Sequence, residues 1–525
     1  MSDVGLPERM LEQAAPWTPW SRRAWEPSSI LRLRELSEAT RWAREGVLST
    51  SAVAWYRQSL RPLIGQDAGL ASGAIRSQLD SLLKSDFPFD SQSRRRLDVL
   101  IEHADEHYLE NWHASLTAGA PVEVERASRF IVGHVIDSGF HPNSVRRTVK
   151  KAISEELDTD QIVERLARLC DQPVQTFEGI VPLLDVPQPG IMAAHERWRD
   201  PRATNDILRA HEWKARREQS GSLHFAVSAR DPFTAALQVH DELQRLVSRT
   251  TLLRSDGQLG YQAHWFCTTT KHIMELGRRT DNISVMSPVR TGHLYSGSSS
   301  KAIDDALTLA SSLKTGPDSI AATSSWAAIE ALLSAGSDWN EGTGKTVSAD
   351  RAAWILTAAW PRAELTALSY QVARDSGVSS AVRHRLKTAG EDNARRCAIV
   401  LRALEGGALG PLSKAEEEAG RQRMLGLVES PRRTLRRVEG YIQGAFRRLY
   451  RQRNIVLHGG STQTVALPAA IRTAGPLVGG VLDRLCHGIE VSGREPLDLA
   501  AQARTALDAA GDPGGWSLHE LLGTE

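Results

Sequence analysis

The chain has 525 residues, enough for two to four domains with cores of their own, and its 41% hydrophobic and 24% charged residues match a soluble globular protein. A formal net charge of +1 excludes a globally basic nucleic-acid binder, so any RNA contact has to rest on local patches. Four cysteines, Cys170, Cys267, Cys397 and Cys486, are far apart and form no C-x-x-C pair, which argues against a zinc ribbon or a disulfide framework and for reduced core thiols.

The opening run Met1-Ser2-Asp3-Val4-Gly5-Leu6-Pro7-Glu8 contains no apolar signal segment, and no stretch of about 18 apolar residues follows. A cytoplasmic protein without membrane contact is expected. Residues 1–175 read as a helical domain, because apolar positions recur at helical spacing through Ile30–Leu36 and Ile162–Leu169. Trp17, Trp20, Trp25, Trp42 and Trp55 crowd its start. Without an alternating basic pattern beside them, they read as core or interface anchors rather than base-stacking platforms. His103-Ala104-Asp105-Glu106-His107 has the H-x-x-E-H spacing of inverted zincins, with Glu178 as a distant third-ligand candidate. Two histidines on a helix crowded with acids are more often surface residues, so no metal is assigned.

Residues 176–310 change texture. Phe177–Leu184 and Leu223–Ala229 are short apolar runs bounded by breakers, and the second precedes an Asp-Pro pair and an amphipathic helix through Leu246. A small α/β unit fits, closed by the small, polar Ser296–Ser300 loop. From about residue 311 helices return. Asp350 is expected to cap a helix ending at Trp360, with Pro361 restarting the next, and Gly406-Gly407 and Gly410-Pro411 to interrupt the bundle. Gly342-Thr343-Gly344-Lys345-Thr346 ends like a phosphate-binding loop, but Trp339 stands where the first glycine belongs and no strand precedes it, so a connector is the better reading. The tail, residues 491–525, is expected to carry one amphipathic helix and to pack loosely.

The stretch Arg453-Asn454-Ile455-Val456-Leu457-His458-Gly459-Gly460 sets a permanent cation, an amide and a titratable imidazole within six residues. Five helical steps turn a side chain by about 500°, so Arg453 and His458 diverge while Asn454 and His458 stand one above the other. A complete site therefore needs the Arg to reach around, the helix to break, or a second copy of the motif. Arg129-Phe130-Ile131-Val132-Gly133-His134 shares the spacing without a polar second residue and reads as core. Between Arg432 and Arg453 stand Arg432, Arg433, Arg436, Arg437, Arg447, Arg448, Arg451 and Arg453 against Glu439 alone, a charge pattern suited to a phosphate-lined groove. The same letters also suit a basic helix end with a glycine cap.

The run Arg447–Gly459 resembles the Arg-Asn-x-x-x-His signature of HEPN ribonucleases, helical domains common among bacterial toxins and phage-defence effectors. Ser325–Leu333 is similar to the opening helix of the Apea-like branch of that superfamily, and the likeness spans roughly residues 315–490. It implies a mainly α, multidomain chain: a helical sensor or recognition domain, a central α/β unit, a HEPN-like bundle over 311–490 and a C-terminal tail. It also implies a metal-independent endoribonuclease without cofactor that acts as a homodimer or higher oligomer on RNA such as tRNA or mRNA, with a phage-derived or protein trigger. Arg453, Asn454 and His458 would carry catalysis, Arg448 and Arg451 would bind phosphate, and Glu330 would support Arg453. The rival readings are a non-catalytic RNA- or protein-binding adaptor and a zinc hydrolase centred on His103, Glu106 and His107.

Overall fold

The computed structural model describes residues 5–523 except 16–17, 23–24, 71–72, 215–218, 254–256, 278–282, 299 and 340–345. Trp17, Ser299, Met1–Val4 and the phosphate-loop-like Gly342–Lys345 fall outside the described residues. The fold is mainly α with one small antiparallel sheet. No helix among the described residues is long and apolar enough to cross a membrane.

Helices fill the chain from Leu6–Gln13 to Thr159–Cys170. Several begin where a short polar side chain satisfies an orphan amide: Ser28, Ser49 and Ser91 accept from the backbone N–H of Leu31, Ala52 and Arg94. Asp158 and Gln161 form a reciprocal capping box. The apolar faces meet in one core that includes Leu33, Leu36, Ile101, Val132, Val135 and Ile162. Trp42 is buried in this core and Trp55 is packed partly against it. Trp25 is buried in a second, C-terminal core, and Trp20 leans on it. Arg129 and His134 lie inside the Val124–Asp137 helix and are buried, as expected of the control motif, and burial lowers the His134 pKa to about 4.

The central sheet comprises β1 (Gln175–Asp185), β2 (Trp198–Arg199), β3 (Gly221–Ala229), β4 (Gly260–Tyr261), β5 (His264–Cys267) and β6 (His272–Glu275). The order is β2-β3-β1-β5-β6, with β4 also on β1. Every pairing is antiparallel, and β1 faces β3 from Gln175↔Ala229 to Leu183↔Gly221. The Pro232–Thr251 helix, capped by Asp231 through the Thr234 N–H, lays Ala235, Val239 and Leu243 on this sheet in a core of its own.

Apart from Trp25, the C-terminal core begins at Ile283 and takes in Ile303 and Ala306, so it reaches back across the expected boundary at residue 310. Its axis is a helix running unbroken from Val347 to Arg374, which corrects the expected break at Pro361. An interior proline costs about 3 kcal/mol, but this helix is buried along most of its length, including Ile355, Leu356, Leu365 and Leu368, and that packing outweighs the lost hydrogen bond. The expectation of a loosely packed tail is also corrected. Leu499, Ala503 and Ala506 of the Pro496–Asp508 helix, and Leu518 and Leu521 beyond it, are buried in the same core.

A buried ion cluster joins the N-terminal and C-terminal helices. Arg423 reaches Glu12, Glu125 and Glu364 at 3.0–3.2 Å, Arg9 pairs with Glu12 and Glu125, and Arg22 pairs with Glu12 and Glu364. Glu364 is fully buried and also accepts from the Ser21 hydroxyl at 2.7 Å. Opposite charges alternate around the cluster, the arrangement that makes buried charge tolerable.

Candidate active site

The motif lies at the end of a long helix, Pro431–Gly459, hereafter the motif helix. Leu435, Val438, Ile442, Ala445 and Leu449 recur at three- and four-residue intervals and, with Phe446 and Ile455, are buried. The helix continues through His458 and stops at Gly460, whose φ of 63° is the left-handed conformation in which glycine ends helices. Of the three ways to complete the site, a break in the helix is therefore not the one used. Arg453 Nη1 donates to Asn454 Oδ1 at 2.9 Å, and its Nη2 lies 3.9 Å from Glu330 Oε2.

Glu330 stands near the end of the Asp318–Leu333 helix, which packs against the motif helix with Trp326 against Tyr450, ring centroids 5.0 Å apart. Arg453 and Glu330 are partly exposed, and His458 is exposed on the last turn. A guanidinium held by an amide and a carboxylate can bind an anion, and the solvent-facing imidazole five positions further along the same helix can exchange a proton.

Arg448 and Arg451, expected to bind phosphate, point into the protein. Arg448 Nε donates to both oxygens of Glu35 at 3.1 and 3.0 Å, with both side chains almost fully buried. Burial works against its charge, but Glu35 together with Tyr56 and Glu26 outweighs burial and the pKa rises above the ordinary guanidinium value. The Arg451 guanidinium sits over the rings of Trp55 at 3.9 Å and Tyr56 at 4.5 Å. Elsewhere in the arginine run the pairs are more exposed: Arg432 with Asp512 and Arg437 with Glu123 at the surface, and Arg447 with Asp350 partly buried. Arg448 and Arg451 thus serve folding, whereas Arg432, Arg433, Arg436 and Arg437 are exposed.

These contacts also place the end of the motif helix in the N-terminal half. Ile455 belongs to the N-terminal core, and a Cβ on Gly459 would stand 2.9 Å from the Trp42 ring. The loop beyond is tied down by a bond from Thr464 to Gln452 and by the Val465 N–H donating to Glu38 at 3.2 Å. Sequence spacing could not have linked residue 42 to residue 459, so Trp42, Glu35 and Glu38 were missed as supports of the site.

The H-x-x-E-H residues lie elsewhere. Ligand atoms of His103, Glu106 and His107 all fall within 4.8 Å of one another on the surface, and His107 Nδ1 lies 3.0 Å from the His103 carbonyl oxygen. Glu178 is not part of that group; it is on β1, 3.9 Å from His224 Nε2. All four cysteines are free thiols. Comparison of the chain with protein-family models, curated proteins and solved structures finds no match in any of the three.

Proposed function

We propose that the chain is a metal-independent endoribonuclease of HEPN type, a phage-defence or toxin effector that works as a homodimer or higher oligomer. The supporting observation is an Arg453 held between Asn454 Oδ1 and the Glu330 carboxylate, with His458 exposed on the last turn of the same helix. In this reading the ribose 2′-hydroxyl attacks the adjacent phosphorus, and the bond to the 5′-oxygen breaks. The products carry a 2′,3′-cyclic phosphate and a 5′-hydroxyl. His458 takes the proton from the nucleophile or returns one to the leaving oxygen, and Arg453 steadies charge on the phosphoryl oxygens. Because one helix directs Arg453 and His458 to different sides, pairing two copies of the motif supplies both groups to one groove.

The test is incubation of the protein and its His458→Ala variant with total tRNA and a structured mRNA in EDTA, followed by end-group analysis. Cyclic-phosphate ends from wild type alone support the reading; equal cleavage by the variant refutes it. A zinc hydrolase reading has the His103, Glu106 and His107 cluster in its favour. It requires stoichiometric zinc and activity that disappears in the same EDTA.

A further inference from the structure

The buried ion cluster between the N-terminal and C-terminal helices does not balance in charge among the described residues. With every pair counted, Arg9, Arg22, Arg129 and Arg423 face Glu12, Glu125 and Glu364, four positive charges against three negative. Arg9, Arg22 and Arg423 hold their carboxylates at 2.5–3.2 Å. Arg129, on the Val124–Asp137 helix and 8% exposed, is the outlier. Its Nη2 comes no nearer to Glu125 than 3.6 Å, and its buried Nε and Nη1 have no hydrogen-bond partner among the described residues. The guanidinium lies over the rings of Trp25 and Tyr441, 5.1 and 4.2 Å from their centroids. Beside it is a cavity of about 30 Å³, walled by Arg129, Trp25 and Tyr441 and by Arg9, Arg423 and Glu125 of the cluster. Glu125 has Oε2 taken by Arg9 and Oε1 by Arg423, each at 3.0 Å, so its charge is already offset. Arg437 also borders the cavity, but it pairs with Glu123 outside the cluster.

We propose that this cavity binds one small monovalent anion, a halide such as chloride. A buried charge without a counterion is costly, and two orphaned N–H donors add to the cost. A water would satisfy the donors and leave the charge; an anion answers both, through charge-assisted bonds from Arg129 Nε and Nη1. Volume sets the size limit. One water needs about 10–15 Å³ of such space, so 30 Å³ admits a halide and excludes a phosphate ester or an organic acid. The walls come from the Leu6–Gln13 and Val124–Asp137 helices on one side and from the Ala415–Glu429 helix and the motif helix on the other. The ion therefore pins the N-terminal helices to the C-terminal ones, and its binding to the folded state alone raises the melting temperature with halide concentration.

The full chain is melted in sodium chloride, sodium bromide and sodium gluconate at matched ionic strength. Chloride and bromide are expected to raise the melting temperature along a saturating curve, by on the order of 1–3 °C, and gluconate, too large for the cavity, to give no saturating rise. Arg129→Met leaves three charges against three, so its melt should not tell chloride from gluconate. Arg129→Lys keeps the charge and should retain a smaller chloride effect. Wild-type crystals soaked in bromide should show an anomalous peak within hydrogen-bond reach of Arg129 Nε and Nη1, a readout that stands even where Arg129→Met does not fold. Wild-type melts that do not distinguish halide from gluconate, a chloride effect undiminished in Arg129→Met, or a cavity holding water and no bromide would overturn the proposal.

Discussion

Replacing Arg423 by Met removes the one cation among the described residues that touches all three buried glutamates. Its Nε lies 3.1 Å from Glu364, and its Nη1 lies 3.2 Å from Glu12 and 3.0 Å from Glu125, with the side chain only 9% exposed. Methionine keeps much of the volume and none of the charge, so the variant isolates electrostatics from packing. Glu12, Glu125 and Glu364 would then face Arg9 and Arg22, with Arg129 more distant at 3.6 Å from Glu125. Breaking a buried pair by deleting one partner costs about 3–5 kcal/mol, and since each carboxylate keeps Arg9 or Arg22, that range is the expected loss. Set against a total stability of roughly 5–15 kcal/mol, the loss should be plain in urea unfolding. Limited proteolysis should show early cutting between the N-terminal and C-terminal helices. The double variant Arg423→Met/Glu364→Leu should be less damaging than the two single changes added together, because it removes a stranded charge with its partner. A loss under about 1 kcal/mol in Arg423→Met would refute the reasoning and mean that water reaches the cluster.

The same cluster sets a pH dependence. Burial alone would raise the Glu12 carboxyl, but Arg423, Arg9 and Arg22 together outweigh it and hold the pKa at about 2, below its ordinary 4.5. A group depressed on folding stabilises above its unfolded pKa and loses that contribution as pH falls through the folded one. Urea midpoints should therefore drop between pH 4.5 and about 2, by about 3 kcal/mol for this group, and Glu12→Gln should flatten that limb. Gly459→Ala should destabilise by about 1–3 kcal/mol, since its Cβ would meet the buried Trp42 ring at 2.9 Å; Trp42→Phe should relieve part of the loss in a thermal melt. Glu35→Ala strands Arg448 in the interior and should cost about 3–5 kcal/mol by urea unfolding, whereas Glu330→Ala, at a partly exposed position, should cost under about 1 kcal/mol.

Local periodicity and capping made much of the helix pattern legible. The spacing of Leu435, Val438, Ile442 and Leu449 marks a buried face whatever lies opposite, and the Gly459-Gly460 pair announces the helix end. Pro361 misled because its local penalty is fixed, while the packing that overrides it comes from residues distant in sequence. The arginine run shows the same limit. Charge is visible in the sequence, but the partner of Arg448 stands 413 positions earlier, and only the folded chain separates a guanidinium facing solvent from one sealed against a glutamate. Arg129–His134 and Arg453–His458 have equal spacing; the polar second residue told apart a buried pair from one whose His is exposed.

The seating of Ile455 and Gly459 against the N-terminal helices bears on how this molecule can be dissected. A fragment beginning near residue 311 would carry the whole Arg-Asn-x-x-x-His signature yet leave Arg448 without its carboxylate and the last turns of the motif helix without a floor. Such a piece would not be a liberated effector freed from restraint. It would be a helix bundle with a frayed working end, and silence from it in a cleavage assay would say nothing about the intact chain.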